Sequence, residues 1–77
     1  MVNGVAAGAG ANIALACDIT VAAESASFIQ AFSKIGLIPD AGGSWLLVER
    51  LGLPRAMALA MTGEKLMADK AKEWGLI

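Results

Sequence analysis

A short apolar run, Val2-Asn3-Gly4-Val5-Ala6, passes directly into Ala7-Gly8-Ala9-Gly10-Ala11 and then into the helix-forming segment Asn12 to Ala16. This order leaves the chain few options. A buried strand that meets glycines and then a helix is the opening half of an α/β unit, because parallel strands require a crossover, usually helical, between them. Glycines at such a junction let backbone N–H groups point outward at the helix start, where the macrodipole adds partial positive charge. The junction is a place to hold an anion or a developing oxyanion. It is not Gly-x-Gly-x-x-Gly, since Ile13 stands where the third glycine belongs. A dinucleotide-binding turn is therefore disfavoured, and a plain tight connection remains the alternative.

Further along, Cys17-Asp18 ends the helix and Ile19-Thr20-Val21-Ala22-Ala23 has the β-branched content of a second buried strand. Glu24 to Ser27 is a polar turn, Ser27-Phe28-Ile29 a short extended piece, and Gln30 to Ile35 either a helical turn or irregular chain. A helix is expected from about Ala41 to Leu51, with Trp45, Leu46, Val48 and Leu51 as apolar positions and Gly52 closing it. Leu53-Pro54-Arg55 opens another, with Pro54 tolerated in the first turn and Met57, Ala58 and Met61 facing inward. After the turn Thr62-Gly63-Glu64, Lys65-Leu66-Met67 is extended. Ala68 to Trp74 is a charged amphipathic helix stopped by Gly75, and Leu76-Ile77 reads as the start of another strand. The pattern gives α/β layering with parallel strands.

Composition limits what such a chain does. Its 77 residues make one domain at most, yet 57% are apolar, more than so small a globule hides. Much of that surface is expected to meet further chain or other copies. The net charge of -1, with six basic residues scattered, gives no footprint for nucleic acid. No window reaches the ~18 uninterrupted apolar residues of a membrane span. One cysteine, Cys17, and no histidine exclude an intrachain disulfide and the common zinc constellations. The lone thiol and the lack of a signal-peptide pattern favour the cytoplasm. Residues 1–77, without repeats or linkers, read as a segment of a larger α/β domain.

The stretch with most chemical content is Gly36-Leu37-Ile38-Pro39-Asp40-Ala41-Gly42-Gly43-Ser44-Trp45. It sets one carboxylate among apolar side chains at the mouth of the predicted helix. Leu37, Ile38, Ala41 and Trp45 would desolvate Asp40 and raise its pKa, which suits a group that takes a proton and returns it near neutral pH. Asp before a helical run is also a common N-cap, and a cap residue can face a cleft as well. Gly42 and Gly43 let backbone pass close to something bulky in the first turn, for which a ligand is one candidate.

Together, Val2 to Asn12, Ala16-Cys17-Asp18-Ile19, Ile35 to Gly43, Met61-Thr62-Gly63-Glu64 and Ala71 to Ile77 resemble the central portion of the enoyl-CoA hydratase/isomerase (crotonase) superfamily. The resemblance implies a partial crotonase-like spiral of ββα units that binds acyl-coenzyme A thioesters. It implies assembly as trimers or dimers of trimers, with coenzyme A entering only as part of the substrate and no metal or separate cofactor. In the family, two backbone N–H groups form an oxyanion hole around the thioester carbonyl. One maps to Ala9, flanked by Gly8 and Gly10, and the other belongs to a segment preceding Met1.

The two glutamates that add water in the family's hydratases map to Asn12 and Phe32, neither of which is an acid or base near neutral pH. The carboxylate at Asp40, with Phe28-Ile29-Gln30-Ala31-Phe32-Ser33-Lys34 before it, is most similar to the family's epoxyphenylacetyl-CoA isomerases. The resemblance thus implies isomerisation of an epoxyphenylacetyl-CoA or enoyl-CoA, with Asp40 and Ala9 catalytic. Gly8, Gly10, Asn12, Phe32, Gly42 and Trp45 would line the substrate site, Phe32 and Trp45 shaping its apolar wall. Hydratase-like and aryl-CoA dehalogenase activities are alternatives, the latter with Asp40 as nucleophile. A further alternative is a truncated, non-catalytic piece that keeps the scaffold for structure or oligomerisation.

Overall fold

The computed structural model describes residues 1–32 and 42–77. In chain order the elements are β1 (Val5–Ala7), α1 (Ala9–Leu15), β2 (Ser27–Ile29), α2 (Gly43–Leu51), α3 (Leu53–Thr62), β3 (Lys65–Met67) and α4 (Ala68–Glu73). The strands form one sheet in the order β1-β2-β3. β1 and β2 are parallel, with Ala6 opposite Phe28, and α1 lies in the crossover between them.

The expected parallel strands are found in β1 and β2, whereas β3 runs antiparallel to β2 and sets Leu66 opposite Phe28. That register puts Ala6, Phe28 and Leu66 in one buried row, while Val5, Ala7, Lys65 and Met67 are exposed. A slip by one residue would turn the whole row outward. The ladder continues into α4, whose first amide, Ala68 N–H, donates to Ala26 O at 3.0 Å.

The expected strand over Ile19 to Ala23 does not form. Among the described residues one isolated bridge lies there, between Val2 and Ala22, and Ile19 is 83% exposed. Thr20 Oγ1 donates to Ala14 O at 3.1 Å, which ties this segment to the end of α1. Similarly, Leu76-Ile77 is not a strand, although Leu76 is buried. The first helix begins three residues earlier than expected, at Ala9 rather than Asn12.

α2 and α3 are joined by a single residue. Gly52, at φ 81 and ψ 163, closes one helix by donating to Val48 O at 2.9 Å and opens the next by accepting from Ala56 N–H at 3.1 Å. Their inward faces are set by phase, not by side-chain size. Leu46, Leu47 and Leu51 of α2 and Ala56 and Leu59 of α3 are buried. Trp45, Val48, Met57, Ala58 and Met61, expected inside, are exposed. With Ala11, Leu15, Phe28, Leu66, Ala71 and Leu76, these buried residues form one core. Each leucine held there stabilises the fold by about 1.5–3 kcal/mol, and Leu15→Ala would cost about 2–5 kcal/mol. Arg50 ties the periphery, with Nη1 donating to Leu76 O at 3.3 Å and Nη2 to Cys17 O at 3.2 Å.

Candidate active site

The turn from β1 into α1 is one residue long and depends on glycine. Gly8 has φ 57 and ψ -130, a combination closed to ordinary L-residues. Its N–H donates to Ile29 O at 2.8 Å, which anchors the turn to the end of β2. Ala9 is then the first residue of α1 and is exposed. A helix's first amides have no acceptor within it, so Ala9 N–H is not consumed by α1. Gly10 follows in the first turn, also exposed, with open space where a Cβ would stand.

Phe32 and Asn12 both meet this turn. Phe32 is buried, and its ring lies against Gly8, where an added Cβ would contact Cζ at 3.8 Å. Asn12, one turn into α1, is completely buried. Its Oδ1 accepts a hydrogen bond from Gln30 Nε2 at 2.8 Å, which links α1 to the residue just past β2. On its other side the Asn12 carboxamide touches Gly43, where any Cβ would overlap it. The bulky group for which the second glycine makes room is therefore the Asn12 side chain, a part of the fold itself.

The start of α2 differs from expectation in two ways. The N-cap position belongs to Gly42, at φ 80, with no side-chain cap hydrogen bond. Trp45 is 67% exposed, so in this chain it does not belong to the core. Asp40, with the desolvated carboxylate proposed for it, lies outside the described residues. Ala9, Gly8, Gly10, Asn12 and Phe32 are thus brought together around the first turn, and Gly43 joins them through Asn12. Gln30 is the member that pattern reading missed. A glutamine after a short strand has no periodic signature, and only its partner 18 residues away reveals its role.

Among the described residues no group of three or more His, Cys, Asp or Glu side chains is arranged to hold a metal, and no helix is long and apolar enough to cross a membrane. An open cleft of about 640 Å³, lined by Ala22, Glu24, Met67, Ala68, Asp69, Lys72 and Ile77, includes none of the expected site residues. The chemistry at the β1–α1 turn is that of a backbone donor beside an aromatic ring and a buried amide. It offers charge stabilisation but no proton transfer of its own.

Residues 1–77 match the family model for enoyl-CoA hydratase/isomerase over their full extent. The chain belongs to that family. It is 62% identical to the 1,2-epoxyphenylacetyl-CoA isomerase of Escherichia coli K12, over 99% of this chain and 29% of that protein. It is 58% identical to a probable enoyl-CoA hydratase of Rhodobacter capsulatus, over 99% of this chain and 30% of that protein. Among solved structures, an enoyl-CoA hydratase of Mycobacterium avium subsp. paratuberculosis superposes with a TM-score of 0.95 at 51% identity, covering 97% of this chain and 30% of that one. The chain thus spans about 30% of the length of these relatives, and its fold is a segment of the crotonase fold.

Proposed function

We propose that the protein containing these residues is an acyl-CoA thioester isomerase acting on an enoyl-CoA or an epoxyphenylacetyl-CoA. The observation that carries this reading is the pair Asn12 and Phe32 at the positions where the resemblance places the hydratases' glutamates. Both are packed at the β1–α1 turn, and neither activates water. In this reading Ala9 N–H donates to the thioester oxygen as it gains charge, a contribution of about 3–4 kcal/mol in the transition state. Asp40 removes a proton from carbon conjugated to the thioester and returns it at another carbon, with the electron pair held as the enolate between the two steps. Gly8, Gly10 and Gly42 allow the acyl chain to approach backbone, and Phe32 and Trp45 wall its apolar end. Coenzyme A serves as part of the substrate, and assembly into trimers supplies apolar contacts for the exposed helix faces.

A second reading, hydration of an enoyl-CoA, is favoured by the identity to the Rhodobacter protein. Product mass separates the two. With the full-length protein and an enoyl-CoA, isomerisation leaves the mass unchanged and hydration adds one water. Accumulation of the hydrated thioester would overturn the isomerase reading. Asp40→Asn is expected to abolish isomerisation while acyl-CoA binding persists, and turnover by that variant would remove Asp40 from its role.

A further inference from the structure

Gln30 is buried to 3% exposure, and its Oε1 is, among the described residues, the buried side-chain oxygen that finds no hydrogen-bond partner. Its Nε2 is committed to Asn12 Oδ1 at 2.8 Å. A buried acceptor left unmade is costly, and native folds usually rearrange to avoid it. Among the described residues, Gln30 is therefore held in place by its Nε2 bond and not by its Oε1.

The consequence of that bond falls on the Asn12 amide. A carboxamide fits its cavity in two orientations that exchange a donor for an acceptor and differ little in shape. The hydrogen bond from Gln30 couples the two amides and holds the Asn12 carboxamide against Gly43, with Oδ1 toward Gln30 and Nδ2 nearest the place a Gly43 Cβ would take. Gly43 is the first residue of α2, and no Cβ intervenes between it and Asn12. The chain of contact thus runs from the end of β2 through Gln30 and Asn12 to the first turn of α2. Asp40 and Trp45 flank that turn in sequence. We propose that Gln30 is a positioning residue for the isomerase reaction: it fixes the orientation of Asn12 and, through it, the placement of the α2 start relative to the Gly8–Gly10 turn. This inference rests on the isomerase reading.

Gln30→Met keeps the shape of the side chain and removes both the donor and the unpartnered acceptor. In the full-length protein it is expected to lower kcat about tenfold, the scale on which small displacements of a reacting group act, while KM stays within about twofold. The unfolding midpoint should stay the same, because the acceptor lost from Gln30 offsets the one exposed on Asn12. In an Asn12→Ala background the same change should have no further effect on kcat. An unchanged kcat, a fall in stability that accompanies the fall in kcat, or fully additive effects with Asn12→Ala would each overturn the proposal. A full-length protein that isomerised no enoyl-CoA would refute the isomerase reading instead. The positioning claim would then be decided by NOEs between the Asn12 side-chain amide protons and Gly43, which should be present in the native protein and weaken in Gln30→Met. Unchanged NOEs would refute it.

Discussion

Two strands run into helices with almost no connecting chain, and they solve the problem differently. Between β1 and α1 stands Gly8 with a positive φ, whereas Met67 passes from β3 into α4 in ordinary extended conformation, at φ -74 and ψ 157. The first amide of α4, on Ala68, donates to Ala26 O and extends the sheet ladder. The first amide of α1, on Ala9, donates to no acceptor among the described residues. One junction places its amide in the scaffold. The other uses a backbone conformation available only to glycine and keeps its amide out of the scaffold, which is the arrangement expected where backbone has to meet substrate.

The contrast is broken most severely by proline. Ala9→Pro removes the amide hydrogen at a first-turn position that tolerates proline, after a glycine that has no Cβ to clash with the ring. In the full-length protein kcat/KM for an acyl-CoA should fall about 10²–10³-fold, with stability within about 0.5 kcal/mol of the parent. Retained activity would show that the Ala9 amide does not serve the reaction. Gly8→Ala tests the backbone instead. The space is adequate, since the new Cβ would meet Phe32 at ordinary contact distance, so the cost is conformational, about 1–3 kcal/mol by denaturant titration.

At the second junction Ala68→Pro deletes the bond to Ala26 O and should cost about 1–2 kcal/mol with no specific loss of kcat. A drop in kcat out of proportion to stability would mean that the two junctions are not functionally distinct. The smallest effect is expected for Met67→Ala, a half-exposed side chain in unstrained backbone, at under about 1 kcal/mol in the same titration.

Local punctuation explains what sequence alone conveyed. Gly52 and Gly75 mark helix ends, Pro54 marks a helix start, and α2, α3, β3 and α4 lie close to where these residues imply. Depth was harder to read. Met57 and Met61 are larger than Ala56, yet the helix turns Ala56 and Leu59 inward because a 3.6-residue period, fixed by the contact with α2, outranks size. Ile19-Thr20-Val21 carries strong strand propensity, but the segment makes an isolated bridge to Val2 and a Thr20 bond to Ala14 O in place of a ladder. At the site, the glycine turn was legible and the fully buried Asn12 was half legible. The Asn12–Gln30 hydrogen bond was not, because a pair of amides distant in sequence leaves no pattern in either segment.

Gly52 bears on the handedness of the chain itself. Its φ of 81 and ψ of 163 are the mirror image of a conformation at the outer edge of the β region of L-residues. At this exposed elbow the backbone has the shape natural to a D-amino acid. Protein assembled by chemical ligation with D-alanine at residue 52 should gain about 0.4–1 kcal/mol, because the unfolded chain loses freedom that the folded chain never used. L-alanine there should lose about 1–2 kcal/mol. Equal stability of the two diastereomers would mean that the α2–α3 elbow relaxes to another conformation. A difference of the expected sign would make this one position a stereochemical lock on the angle between two helices.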